Sequence, residues 1–85
     1  MGYKILYAKS VKKDIKDIPV SDLLKIKSNI EMLEHFPNVP NYKKLSSYSI
    51  ADLRLRVGDY RVLFDIDYVN TEIHILKIGH RKDIY

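Results

Sequence analysis

Arg54, Arg56, Arg61, His80, Arg81, Lys82 and Tyr85 are threaded through stretches that otherwise read as core strands. A cation inside a strand is poor packing material, because a buried charge is costly unless it is paired. Several of them on one sheet face suit a polyanion, and a phosphate backbone is the commonest one. The rest of the chain must then be the scaffold that holds this face in place.

Strand parity says which cations share a face. Three strand-like runs cover residues 49–57, 60–67 and 71–78, and Gly58-Asp59 between the first two matches a tight hairpin. In the first run Leu53, Leu55 and Val57 point one way and Arg54 and Arg56 the other. In the second, Tyr60, Val62, Phe64 and Ile66 oppose Arg61, Leu63 and Asp65. The apolar sets must face the core, which places Arg54, Arg56 and Arg61 together on the opposite face. The third run is apolar in both parities, so it is expected to be central and covered on both sides. Gly79 permits a sharp exit that is expected to bring His80, Arg81 and Lys82 to the same rim.

Upstream, residues 3–8 alternate as a strand. Ser10 is positioned to cap a short helix with Val11, Ile15 and Ile18 on one side, ended by Pro19. Ser21 is positioned to cap a longer helix over 22–35, with a stripe of Leu23, Ile26, Ile30 and Leu33 widened by Leu24 and Met32. A prolyl loop follows over 36–41. The order is β-α-α-β-β-β: an α+β fold in which an antiparallel sheet of about four strands packs on an N-terminal helical hairpin.

A chain of 85 residues makes one small domain, here 1–85. It has no cysteine, which excludes disulfides and thiolate metal sites and fits a reducing cytoplasm. The net charge of +4 favours anionic partners. No stretch reaches the ~20 apolar residues of a membrane span, and no signal peptide is visible, so a soluble chain is expected. The three histidines, His35, His74 and His80, have no metal-ligand spacing, and no metal or cofactor is expected.

Leu53-Arg54-Leu55-Arg56-Val57-Gly58-Asp59-Tyr60-Arg61-Val62, followed by Ile78-Gly79-His80-Arg81-Lys82-Asp83-Ile84-Tyr85, resembles the RelE/ParE superfamily of type II toxins. The resemblance follows the element order of the whole chain and is most specific over 53–64 and 75–85. It implies a cytoplasmic toxin paired with a cognate antitoxin, in an assembly such as a heterotetramer. For RelE-like members it implies cleavage of messenger RNA on the ribosome without a metal. There the ribose 2′-hydroxyl attacks the adjacent phosphorus and leaves a 2′,3′-cyclic phosphate and a 5′-hydroxyl.

Such a reaction needs a base, stabilisation of extra charge on phosphate and an acid for the leaving oxygen. By motif match, Arg61 and Arg81 stand where the family keeps phosphate-stabilising arginines, and Arg54 where a lysine is usual. Tyr85 matches a tyrosine that stacks on the base or assists proton transfer. Arg54 is a poor proton donor, which leaves His80 as the acid or base, with an unperturbed pKa near ~6.5. Arg56, Lys43, Lys44 and Lys82 are secondary RNA contacts. Asp52 departs from the RelE pattern, because a carboxylate there repels phosphate unless it pairs with an arginine or itself acts as base.

Plainer readings stand beside these. Arg54 and Arg56 fit a solvated face paired with Asp52, Asp59 and Asp65. His74 fits a packed residue with one hydrogen bond, and His35 a helix C-terminus. Tyr42 and Tyr48 fit loop or core roles better than base stacking. Two other functions remain open: a ParE-like poison of DNA gyrase, and an inactive relative that serves as an antitoxin-binding co-repressor.

Overall fold

The computed structural model describes residues 2–45 and 51–84. Along the chain lie β1 (Lys4–Tyr7), α1 (Val11–Asp14), α2 (Val20–Glu31), a 3-10 turn (Met32–His35), β2 (Tyr42–Lys44), β3 (Leu53–Val57), β4 (Tyr60–Asp67), β5 (Glu72–His80) and α3 (Arg81–Ile84). The strands make one sheet in the order β1-β5-β4-β3-β2.

The α+β class is as expected, but the sheet has five strands and is mixed, because β1 runs parallel to β5. Alternation in a sequence marks a strand without recording its partner or direction. β1 covers the edge of β5 that β4 leaves open: the Lys4 amide donates to the Thr71 carbonyl and the Ala8 amide to that of Ile75, both at 2.9 Å. The added strand β2 is three residues long, too short for alternation to reveal. β4, not β5, is the middle strand.

The apolar run in β5 has a specific cause. The β4–β5 register shifts between Leu63 and Phe64, so that Leu63 faces Lys77 while Phe64 faces Ile75. Leu76 is the residue left over, and the parity of β5 changes there. Ile73, Ile75 and Ile78 therefore all reach the helix-side core, while Leu76 packs with Leu63 and Ile84 on the outer face. Phe64, Val62, Leu55, Ile26, Ile30 and Leu33 are almost fully buried on the helix side, each side chain contributing about 1.5–3 kcal/mol by its removal from water.

The helices differ in detail from the pattern reading. α1 is a single turn, and Ser10 does not cap it; its hydroxyl donates instead to the Leu76 carbonyl at 3.2 Å. α2 starts earlier than Ser21, with Pro19 in the N-cap position, where its missing N–H costs nothing. Its buried line is Ile26 and Ile30, continued by Leu33 in the 3-10 turn; Leu24 and Met32 are exposed rather than widening it. The 3-10 turn begins at Met32 and carries Leu33 into the core in place of Met32.

Candidate nucleic-acid interface

The β3–β4 hairpin sets the site. Gly58 turns at φ +59°, a conformation that glycine adopts without steric cost, and the strands leave it in a fixed register. Arg56 lies opposite Arg61, and Arg54 lies opposite Leu63. On the other side of β3, Lys43 of β2 lies opposite Arg54. On β5, Lys77 lies opposite Leu63 and Gly79 opposite Arg61. Directly opposed residues share a face, with Cβ atoms about 4.5–5.5 Å apart.

The outer face therefore carries one row of Lys43, Arg54, Leu63 and Lys77, and a second of Arg56, Arg61 and Gly79. Two of its cross-strand pairs, Lys43–Arg54 and Arg56–Arg61, oppose like charges, which destabilises a sheet. Arg61 is held in place: its Nη1 donates to the carbonyls of Gly58 and Tyr60, each at 3.0 Å. Below the cations, Leu63, Ala51 and Ile84 form a small buried cluster, so α3 folds over this face. A Cβ on Gly79 would stand 3.3 Å from Ile84 Cγ1, which shows how closely that turn sits on the sheet.

Charge is divided along the face. Beyond the cations, towards the β4–β5 turn, the same parity carries Asp65 and Asp67 on β4 opposite His74 and Glu72 on β5. Asp65 Oδ1 accepts the Asp52 amide at 2.6 Å. This bond ties one oxygen of the Asp65 carboxylate to the backbone. Among the described residues, the ion pairs within 4.0 Å are His35–Glu34, His74–Glu72 and Arg81–Asp59, so Arg56 is not held by a carboxylate.

The structure brings Arg54, Arg56, Arg61 and Lys43 together, as parity and position led one to expect for the arginines. It does not bring His80 onto the same face. β5 runs straight through Gly79, and His80 lies opposite Tyr60, on the helix side, with ring centroids 5.5 Å apart. Parity across the bulge is the reason, since Ile78 and His80 share a face and Gly79 takes the other. His80 borders a cleft of about 310 Å³ that is also lined by Asp14, Asp17, Asp83 and Tyr60, and by Lys13 and the Lys77 of the cation row. The Lys82 amide donates to His80 Nδ1 at 3.2 Å, which puts the proton of the neutral ring on Nε2.

Arg81 sits at the hairpin turn. Its amide donates to the Asp59 carbonyl at 2.8 Å, and its Nε lies 3.8 Å from Asp59 Oδ1. Lys82 is exposed on α3. Lys44 lies opposite Leu53, on the parity away from the array. Tyr42 packs on Phe36 with centroids 4.8 Å apart, a core role. Tyr85 and Tyr48 lie outside the described residues. Sequence reasoning missed Lys77, hidden in a run that is apolar in both parities; a bulge allowed for at Leu76 would have exposed it.

Burial, with a smaller contribution from Glu31, raises the Tyr7 phenol. Hydrogen bonds from the side chain and backbone of Asn70 hold the Asp67 carboxyl below the usual carboxylate range.

A small mixed sheet with helices on one face and cations on the other is the architecture of known toxins. The toxin-antitoxin complex RelBE2 of Mycobacterium tuberculosis contains a chain that superposes with a TM-score of 0.82, at 24% identity over 95% of this chain and 100% of that one. The RelE–RelB complex of Pyrococcus horikoshii gives 0.77 at 28% identity, over 98% and 99%. The RelE1 protein of Methanocaldococcus jannaschii is 35% identical, over 100% of this chain and 97% of its own. Toxin RelE3 of the same organism is 31% identical, over 96% and 94%. The family model for the ParE toxin of the parDE type II toxin-antitoxin system matches residues 5–85. The chain belongs to the RelE/ParE family and is a toxin of a type II toxin-antitoxin system. Among the described residues no helix is long and apolar enough to cross a membrane.

Proposed function

We propose that this toxin is an endoribonuclease that cuts messenger RNA in the cytoplasm on the ribosome, by attack of a 2′-hydroxyl on the adjacent phosphorus. The observation that carries the reading is the pair of like-charge oppositions, Arg56–Arg61 and Lys43–Arg54. A sheet gains nothing from them, whereas a phosphodiester backbone laid across the hairpin neutralises both. Arg61, already oriented by two carbonyls, and Arg54 stabilise charge on the scissile phosphate; Arg81 stands at the turn beside them. Tyr85 is assigned the stacking role. The scissile phosphate thus lies over β3 and β4, and the strand's backbone contacts are Arg56 on β3, Lys43 on β2, Lys77 on β5 and Lys82 on α3, with Lys44 on β2 a weaker one.

His80 remains the proton-transfer residue of this proposal, under a physical condition. Held by the Lys82 amide, its neutral ring offers an N–H donor at Nε2 and no basic lone pair there. Its cleft holds three carboxylates, Asp14, Asp17 and Asp83, with Lys13 and Lys77 beside them. Service as a base requires α3 to release Nδ1 and the ring to turn towards the array. α3 is a single turn of four residues, anchored on the sheet by the buried Ile84. A cognate antitoxin would silence the toxin by covering the basic face with acidic and apolar side chains.

The test is a translation extract in which 5′ ends are mapped on the message after addition of the toxin. Cuts phased to codons support the reading. A second reading, a gyrase poison, is favoured by the distance of His80 from the array in face and by the ParE name of the matching family. It requires an intact message together with linear plasmid trapped on gyrase. Neither effect would leave a co-repressor.

A further inference from the structure

The end of the outer face next to the β4–β5 turn carries donors that this function does not use. Asp67 and Glu72 oppose each other across the hairpin, and His74 follows two residues after Glu72 on the same face. One ligand atom from each lies within 4.8 Å of the others, and His74 Nε2 is 3.3 Å from Glu72 Oε1. Around a tetrahedral ion with bonds of ~2.0–2.2 Å, neighbouring ligand atoms stand about 3.3–3.6 Å apart. One edge of such a polyhedron is formed, and side-chain rotation closes the others.

Asp67 is already oriented. Its Oδ1 accepts the Asn70 amide at 3.0 Å and its Oδ2 accepts Asn70 Nδ2 at 2.8 Å. Contacts of this kind hold a ligating carboxylate in position. Around the set, β1 contributes Lys4 opposite Glu72 and Leu6 opposite His74, and β4 contributes Asp65 opposite His74. Lys4 is the competing cation. The three donors come from one hairpin, which limits the ordering cost of binding.

We propose that Asp67, Glu72 and His74 bind one divalent transition-metal ion of the Zn²⁺ class, stapling the β4–β5 turn. One imidazole nitrogen with two carboxylate oxygens suits Zn²⁺, whereas Mg²⁺ and Ca²⁺ call for all-oxygen shells of six or more. Three protein ligands leave a fourth place for water. The site lies at the opposite end of the sheet from the arginines and does not rest on the ribonuclease reading.

The experiment is calorimetric titration of Zn²⁺ into the full chain after chelator treatment, with the three histidine rings followed by NMR. The expected result is one equivalent bound and His74 Nε2 shifting at that equivalent, ahead of His35 and His80. His74→Ala and Asp67→Ala should weaken binding by more than the ~10–100-fold typical of losing a supporting contact. Binding unchanged in those variants, first shifts at His35 or His80, or no heat with unshifted rings would overturn the proposal. If a variant does not fold, the ring shifts of the wild-type chain decide alone.

Discussion

Arg56 and Arg61 face each other across the β3–β4 hairpin on the side of the sheet away from the helices. Two arginines in directly opposed positions gain nothing from each other, and an anion laid across them would neutralise both. Arg56→Thr should therefore leave the fold unchanged or stabilise it by about 0.2–1 kcal/mol while weakening RNA binding. Urea unfolding and binding to a short single-stranded RNA check both halves.

Each cation of the array that contacts phosphate adds to the salt dependence of binding. For single strands the slope of log K against log salt is about −0.7 per contact. Arg54→Gln and Arg61→Gln should each make the slope shallower by roughly that amount. Lys44→Gln, which lies on the other parity, should leave it nearly unchanged.

Gly58 turns the hairpin at φ +59° in open space, so a substitution meets backbone strain and no clash. Gly58→Ala should destabilise the protein by about 1 kcal/mol. Because the turn also supplies the carbonyl that holds Arg61, the same change should lower activity beyond its effect on stability.

Asp67 titrates below the ordinary carboxylate range because Asn70 hydrogen-bonds its ionised form. A depressed folded pKa contributes stability that is present above the unfolded value, near ~3.9, and is lost as pH falls through the folded one. Unfolding free energies measured from pH 5 down to 2 should fall less steeply in Asp67→Asn, which cannot lose a charge.

How far the sequence carried this description follows from what alternation encodes. The faces of β3 and β4 were legible because Leu53, Leu55 and Val57 against Arg54 and Arg56 leave one parity for the core. β1's parallel pairing with β5 was not, since periodicity holds no partner or direction. His80 was expected beside the arginines because Gly79 permits a sharp exit from the strand; a bulge near Leu76 settles its face instead, and a bulge has no fixed sequence mark. The metal-type set escaped a search for histidine spacing because two of its donors are carboxylates from opposite strands.

The most direct measurement maps 5′ ends on a message translated in an extract, with the wild-type toxin and with Arg61→Ala. Codon-phased cuts by the wild type, reduced on the order of 10²-fold in the variant, are the expected result. An intact message with arrested growth and linear plasmid trapped on gyrase, or cleavage undiminished without Arg61, would contradict the account.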